Sequence, residues 1–328
     1  MKFAITGGAG LIGSSLSRKL LDAGHEVLAI DDFTYSYTAT PSPSVAADIS
    51  TRTDFLLKGA QIERCSTLEP AKLGGLLEDF GPDCVVHLAA IPLVAVATRH
   101  VEGAAASLST GLINVLQIMR NLKGTSRFVY ASSSMVYGNF LQDPMSEDGP
   151  KHPLNIYGGL KLAGETLTRS YLAPTKIEPV IVRPSAVYGP TDQHRRVVQK
   201  FCENALTGRP VKVSGANDHY MDFTYVEDIV QGFYLAATHS DAAFETFNMT
   251  YGQARYLSEL VEVIRKVEPT LQTSGEQIDD ADRPKRGSLS IEKARRLLGY
   301  HPVWPLERGI PQYLDHIRAT QNVAIGAA

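Results

Sequence analysis

Tyr157 and Lys161 stand four residues apart in Tyr157-Gly158-Gly159-Leu160-Lys161, and on a helix that spacing puts both side chains on one face. An ammonium beside a phenol favours the phenolate, which lowers the tyrosine pKa and lets it take a proton from an alcohol near neutral pH. Taken alone, the pair also describes an ordinary exposed helix face. Upstream, however, Ala131-Ser132-Ser133-Ser134-Met135-Val136-Tyr137-Gly138 follows a strand-like run and offers hydroxyls to complete a proton-transfer site.

A second constellation reads as a phosphate cradle. Thr6-Gly7-Gly8-Ala9-Gly10-Leu11-Ile12-Gly13 lies between an apolar strand and a helix-patterned stretch, with Gly7, Gly10 and Gly13 in GxxGxxG spacing. Glycine permits the tight turn and lets backbone approach a pyrophosphate. The N–H groups that open the next helix, at Leu11, Ile12 and Gly13, meet the negative charge. Asp31, eighteen residues after Gly13, ends the second strand, where a carboxylate accepts hydrogen bonds from both adenosine ribose hydroxyls and repels a 2′-phosphate. Asp32 follows, and no Lys or Arg occurs from Asp31 to Thr51, so the expected cofactor is NAD rather than NADP. Lys161 is then a candidate for the nicotinamide ribose.

The elements that must position these residues alternate. Strand-like runs at Phe3 to Thr6, Glu26 to Ile30, Asp83 to Ala90, Arg127 to Ala131 and Pro179 to Arg183 are separated by helical spacing at Leu11 to Ala23, Glu102 to Leu122 and Asn155 to Tyr171. Short buried strands alternating with longer helices predict a doubly wound parallel sheet, an α/β fold of Rossmann type. After Tyr188-Gly189-Pro190 the pattern loosens into helices at Arg196 to Leu206, Glu227 to Thr238, Ser258 to Val267 and Ile291 to Leu298. The expected division is a cofactor-binding domain over 1–185 and a mainly substrate-binding region over 186–328, some of which returns to the first domain. Ala39 to Ser50, rich in Ala, Ser, Thr and Pro, reads as a surface loop.

Composition bounds the partners. The 328 residues carry 32 Lys plus Arg against 35 Asp plus Glu, a formal net charge of -3, without the basic excess of a nucleic-acid binder. Cys65, Cys84 and Cys202 are odd in number and widely spaced, which suits buried thiols in a reducing compartment and gives no disulfide or zinc framework. The nine histidines show no metal-ligand spacing, so no metal is expected. No apolar run reaches the roughly 18–20 residues of a membrane span and no secretory signal opens the chain, so a cytoplasmic protein is expected.

In its ordered motifs the sequence resembles the extended short-chain dehydrogenase/reductase family, particularly its nucleotide-sugar epimerases and dehydratases. The likeness runs through the glycine motif, His87-Leu88-Ala89-Ala90, the serine stretch, Tyr157/Lys161, Arg183-Pro184-Ser185-Ala186-Val187-Tyr188-Gly189-Pro190, Met221-Asp222-Phe223-Thr224-Tyr225-Val226-Glu227-Asp228 and Leu297-Leu298-Gly299-Tyr300-His301-Pro302. It implies that Ser133 completes a Ser-Tyr-Lys triad, that Leu88, Ala89 and Ala90 line the NAD site, and that Ser134 lies against substrate. The family's dehydratases carry Asp-Glu after the triad hydroxyl, and its decarboxylases carry Glu in that pocket. Ser134 and Met135 stand there, so the resemblance is nearest to 4-epimerases acting on a UDP-hexose or UDP-hexuronate in carbohydrate biosynthesis.

Competing readings are a nucleotide-sugar dehydratase, a dehydrogenase/reductase and a noncatalytic NAD-binding regulator. Two departures bear on the substrate: Ala186 occupies a position where the family often has Asn or Thr, and Met221 one where Arg contacts a diphosphate. Met135 and Ala186 also remove polar groups that help bind a carboxylate. Arg195, Arg196, Arg209, Arg283 and Arg286 fall in segments of the family's substrate cleft, with Arg283 the best match to a diphosphate ligand and Asn204 a candidate for the nucleotide base. The resemblance also implies a homodimer through the helices around 102–122 and 155–173.

Overall fold

Alternate residues of the first strand, Lys2–Thr6 (β1), enter different apolar clusters: Phe3 and Ile5 join one, Ala4 the other. Period-two side chains that are apolar on both faces need cover on both faces. The computed structural model, which describes residues 1–34, 43–194, 196–213, 218–274 and 284–326, supplies it. On one side Leu16 and Leu20 of helix Leu11–Asp22 (α1) and Phe233 of helix Val226–Thr238 share the cluster with Phe3 and Ile5. On the other, helices Pro70–Phe80, Gly111–Asn121 and Ile156–Leu172 pack Leu73, Leu77, Leu112, Leu116 and Leu172 with Ala4, Val85 and Phe128.

β1 is joined by Glu26–Asp31 (β2), Gln61–Arg64 (β3), Cys84–His87 (β4), Arg127–Ala131 (β5), Glu178–Arg183 (β6) and a last strand, Thr246–Asn248. The seven pair in parallel in the order Thr246–Asn248, β6, β5, β4, β1, β2, β3. This is the doubly wound α/β sheet expected from the alternation. Sequence direction reverses between β1 and β4, and such a switch point opens a ligand crevice at the carboxyl ends of the strands.

Small pairs build the substrate side: Val187–Tyr188 with Thr224–Tyr225, Tyr220–Asp222 with Ala254–Tyr256, and Val211–Lys212 with Thr273–Ser274. The expected surface loop at Ala39 to Ser50 is in part something else. Residues 39–42 lie outside the described residues, but Pro43–Ser50 is helical and runs into a π-helical turn, Thr51–Leu56. The apolar run predicted through Ala90 is a strand only to His87, and the chain then leaves the sheet toward the crevice. Cys65, Cys84 and Cys202 are free and buried. Among the described residues no helix is long and apolar enough to cross a membrane, and no group of three or more His, Cys, Asp or Glu is arranged to hold a metal.

Asp228 joins the C-terminal segment to the sheet layer. From the first turn of helix Val226–Thr238, its two carboxylate oxygens accept the N–H groups of Val303 at 2.8 Å and Trp304 at 3.1 Å. Asp222 is closed off in the same way by Thr250, Gly252 and Leu289. Asp228→Ala leaves two amides without their acceptor and should cost about 2–4 kcal/mol, read as a lower urea midpoint; an unchanged midpoint would show that the joint carries no stability. Burial pushes both carboxyls up to about 6, above the roughly 3.9 of an unfolded Asp. The folded chain therefore binds more protons than the unfolded chain between about pH 4 and 6, and the contribution of this pair is full below that window and lost as pH rises through it. Asp222→Asn should flatten the pH dependence of the midpoint over this range.

Candidate active site

The cofactor cradle follows from close backbone packing at the switch point. Gly7 has φ +74°, and a Cβ there would lie 2.7 Å from the backbone nitrogen of Ala89, so the turn after β1 and the segment after β4 meet without room for a side chain. A Cβ on Gly13 would lie 2.2 Å from the Gly7 carbonyl oxygen. No side chain caps α1, and no acidic residue stands in its first turn. The Ser14 N–H closes onto Gly10 O at 3.0 Å, which leaves the N–H groups of Leu11, Ile12 and Gly13 directed out of the helix end. This fits a pyrophosphate, as the sequence implied.

Asp31 Oδ2 accepts Ala9 N–H at 3.0 Å and Oδ1 accepts Phe33 N–H at 2.9 Å, so the carboxylate is braced at the edge of the same loop. Burial pushes its pKa upward against these bonds. Asp32 is exposed and holds Thr34 N–H at 2.8 Å. Leu88, Ala89 and Ala90 are half-buried along the crevice. Arg52, the first cation after the stretch from Asp31 to Thr51, is buried against the cradle: Nη1 donates to Ala9 O at 3.2 Å and Nε to Thr191 Oγ1 at 3.2 Å, with Nη2 on Thr191 O.

The proton-transfer residues meet at the end of β5. Asn155 starts helix Ile156–Leu172 by accepting Gly158 N–H at 2.9 Å, which sets Tyr157 in the first turn. Ser133, in extended backbone, caps the short turn Ser134–Tyr137 by accepting Met135 N–H at 3.2 Å. One helical turn beyond Tyr157, Lys161 Nζ donates to Ala131 O at 2.6 Å. It lies 5.2 Å from the Tyr130 ring centroid and 5.9 Å from that of Tyr157.

Burial pushes Lys161 down to about 7 despite Glu165. Tyr157 is also raised by burial, and the influences that favour its phenolate are the charge of Arg196 and the Ser133 hydroxyl. Arg196 thus joins Lys161, 5.9 Å from the ring centroid, as a second cation whose charge favours the phenolate. Arg196 is held by Nη1 on Val187 O at 3.2 Å and Nη2 on Pro92 O at 3.4 Å, with Asp192 Oδ2 3.9 Å from Nη1.

Other candidates separate. Ser134 Oγ and Ser185 Oγ both accept from Arg286 Nη2, at 2.8 and 2.6 Å. Asn204 Nδ2 donates to Pro210 O at 2.9 Å across the turn after its own helix. Arg195 and Arg283 lie outside the described residues.

A buried network behind the triad went unread in the sequence. Glu165 accepts from Ser132 Oγ and, on both oxygens, from Arg183 at 2.8 and 2.6 Å. Arg183 also donates to Tyr137 Oη at 2.8 Å, and Tyr137 to Asn248 Oδ1 at 2.7 Å. The signal was present: Tyr157, Lys161 and Glu165 recur at intervals of four. His87 is structural, its Nδ1 2.7 Å from Thr6 Oγ1 and its pKa pushed to about 3 by burial.

Gly13→Ala should force the α1 turn off the Gly7 carbonyl and weaken NAD binding at least about tenfold, read as the NAD retained after desalting and released on denaturation. Full retention would remove the cradle from the site.

Comparisons with known proteins agree with this geometry. The family described as the NAD dependent epimerase/dehydratase family matches residues 3–250. The Bacillus subtilis (strain 168) protein YtcB, named an uncharacterized UDP-glucose epimerase, is 31% identical over 319 residues, covering 97% of this chain and 98% of its own. The dTDP-glucose 4,6-dehydratase of Salmonella typhimurium is 27% identical over 361 residues, covering 100% and 96%. The crystal structure of UDP-glucuronic acid 4-epimerase from Bacillus cereus, in complex with UDP-glucuronic acid and NAD, superposes with a TM-score of 0.87 at 29% identity, covering 97% and 99%. With the family match spanning residues 3–250 and a relative 31% identical along 97% of its length, the chain belongs to the NAD-dependent epimerase/dehydratase family.

Proposed function

We propose that the protein is a 4-epimerase of a nucleotide-bound sugar, a UDP-hexose or UDP-hexuronate, working through a transient 4-keto intermediate. The observation that carries this reading is a complete Ser133, Tyr157 and Lys161 site whose neighbouring positions hold Ser134 and Met135 in place of carboxylates. Tyr157 packs instead in an apolar cluster with Met135, Ala90, Ile91, Val94 and Leu160. Elimination of water from the sugar needs an additional acid and base beside the phenol, and this wall supplies none. The Bacillus subtilis and Bacillus cereus relatives support the same reading.

In this mechanism Tyr157 takes the proton of the sugar C4 hydroxyl while the Ser133 hydroxyl holds the same oxygen. NAD supplies a hydride acceptor at C4 that gives the hydride back, so no net oxidation results. Lys161 and the Ala131 carbonyl anchor the nicotinamide side of the site. The keto sugar turns, and Tyr157 returns its proton to the C4 oxygen on the opposite face.

Incubation with UDP-, dTDP-, GDP- and CDP-sugars should yield the C4 epimer of one of them without NADH release. A stable keto product with stoichiometric NADH would assign a dehydrogenase, and a 4-keto-6-deoxy product a dehydratase. Tyr157→Phe should lower turnover by about 10²–10⁴-fold. The phenolate is the base, so the acid limb of kcat/KM against pH marks the Tyr157 pKa; Arg196→Met removes a charge that favours phenolate and should move that limb to higher pH. A limb that stays in place would show that Arg196 does not act on the phenol.

A further inference from the structure

Glu165 is a buried carboxylate with a second neighbour to serve. It holds Arg183 by two bonds, at 2.8 and 2.6 Å, and takes the Ser132 hydroxyl. A buried ion pair adds little net stability over apolar residues of the same volume, so the pair by itself gives no reason for a carboxylate here. Its place on the helix does. Lys161 stands four residues earlier on the same face, and the two are only 3% and 5% exposed. Ala131 O takes Lys161 Nζ, and the next residue, Ser132, donates to Glu165, so successive residues at the end of β5 grip successive turns of helix Ile156–Leu172. Ser133, the triad hydroxyl, comes directly after.

The groups that face Lys161 come from three strands and its own helix. From β5, Tyr130 presents its ring at 5.2 Å; from β4, His87 stacks on that ring at 6.1 Å and is kept neutral by burial. The helix itself adds the Tyr157 ring at 5.9 Å and the Glu165 carboxylate. From β6, Arg183 reaches Glu165 while its Nη1 turns to Tyr137 Oη at 2.8 Å and Glu147 O at 3.0 Å. The helices that cover this one, Val94–Arg99, Val101–Ala105 and Gly111–Asn121, carry Arg99, Glu102 and Arg120 exposed to solvent. Two buried cations thus share one carboxylate, and among the described residues Glu165 is the anion whose charge acts on the amine. Without it the ammonium would face two phenols and a neutral imidazole in a dry site, where desolvation drives off its proton. Tyr157 would then lose a nearby cation, and the nicotinamide side a charged donor.

We infer that Glu165 is a positioning residue for the proton-transfer site: its charge balances the Lys161 ammonium, and its bond to Ser132 fixes the strand end that carries Ser133. The inference rests on the 4-epimerase reading for what Lys161 does in turnover, whereas the charge balance itself is read without substrate.

The amine is titrated in full-length, NAD-loaded protein by NMR of isotopically labelled lysine side chains, with the Lys161 signal identified by its loss in Lys161→Met. Glu165→Gln keeps the shape and removes the charge. The neutral amine is then favoured, so the Lys161 midpoint should move at least about one pH unit lower, and the alkaline limb of kcat/KM for the epimerised sugar should follow. Glu165→Asp keeps the charge and should hold the midpoint close to that of the parent even where turnover falls. The paired Glu165→Gln/Arg183→Met variant carries the test where the single variant fails to melt cooperatively, because it leaves no unpaired guanidinium, and should show the same downward move. An unmoved midpoint in Glu165→Gln, or an equal move in Glu165→Asp, would assign Glu165 to packing and overturn the proposal. Turnover is scored separately: a lowered midpoint in a protein that epimerises no sugar nucleotide keeps the role of Glu165 and rejects the 4-epimerase, while epimerisation with an unmoved midpoint does the reverse.

Discussion

Holding an amine in a dry interior is the constraint around which the centre of this protein is organised. Lys161 is fully enclosed, and its desolvation is offset by one carbonyl, two aromatic faces and a carboxylate a turn away. Each of those groups comes with a structural demand. The Ala131 carbonyl requires β5 to end where the helix passes, and Tyr130 must present its ring toward that helix. Glu165, once buried, needs Arg183 from β6 and Ser132 from the turn beyond β5. A single charged side chain thus fixes the relative placement of two strands, one helix and the serine turn. The phenol gains a site in which burial disfavours the phenolate while the charge of Arg196 and the Ser133 hydroxyl favour it.

The parts of this arrangement that were legible in the sequence are those encoded by local spacing. Gly7, Gly10 and Gly13 report a backbone that must approach something closely, and Asp31 ends a strand where that something continues. Tyr157 and Lys161 are one helical turn apart, and Glu165 repeats the interval. Arg286 was of a different kind. It stood among five arginines of which Arg283 was the favoured one, and what distinguishes it is the convergence of residues 134, 185 and 286, which no spacing displays. Asn204 shows the converse: its partner Pro210 is six residues away, a local turn contact that the position in the sequence does not display.

The segment after β2 teaches the same lesson about structure. Its Ala, Ser, Thr and Pro composition favours a loop, yet Pro43–Ser50 is helical because helix Leu306–Gly326 packs against it. His316 lies 2.6 Å from Asp48 and accepts the Thr191 N–H at 3.2 Å, so a residue near the end of the chain joins the two sides of the crevice. Propensity is a weak prior, and contacts 268 residues apart override it.

Arg52 adds a temporal dimension. Its guanidinium grips the carbonyl of Ala9 in the phosphate loop and the backbone of Thr191 on the substrate side. The two walls of the crevice therefore cannot part without breaking bonds to one buried cation. An enzyme that oxidises and then reduces the same carbon stalls whenever its carrier departs between the two steps. On the 4-epimerase reading, a bond between the phosphate loop and the substrate side would hold that carrier through both steps, so that sugars exchange while the electrons stay at home.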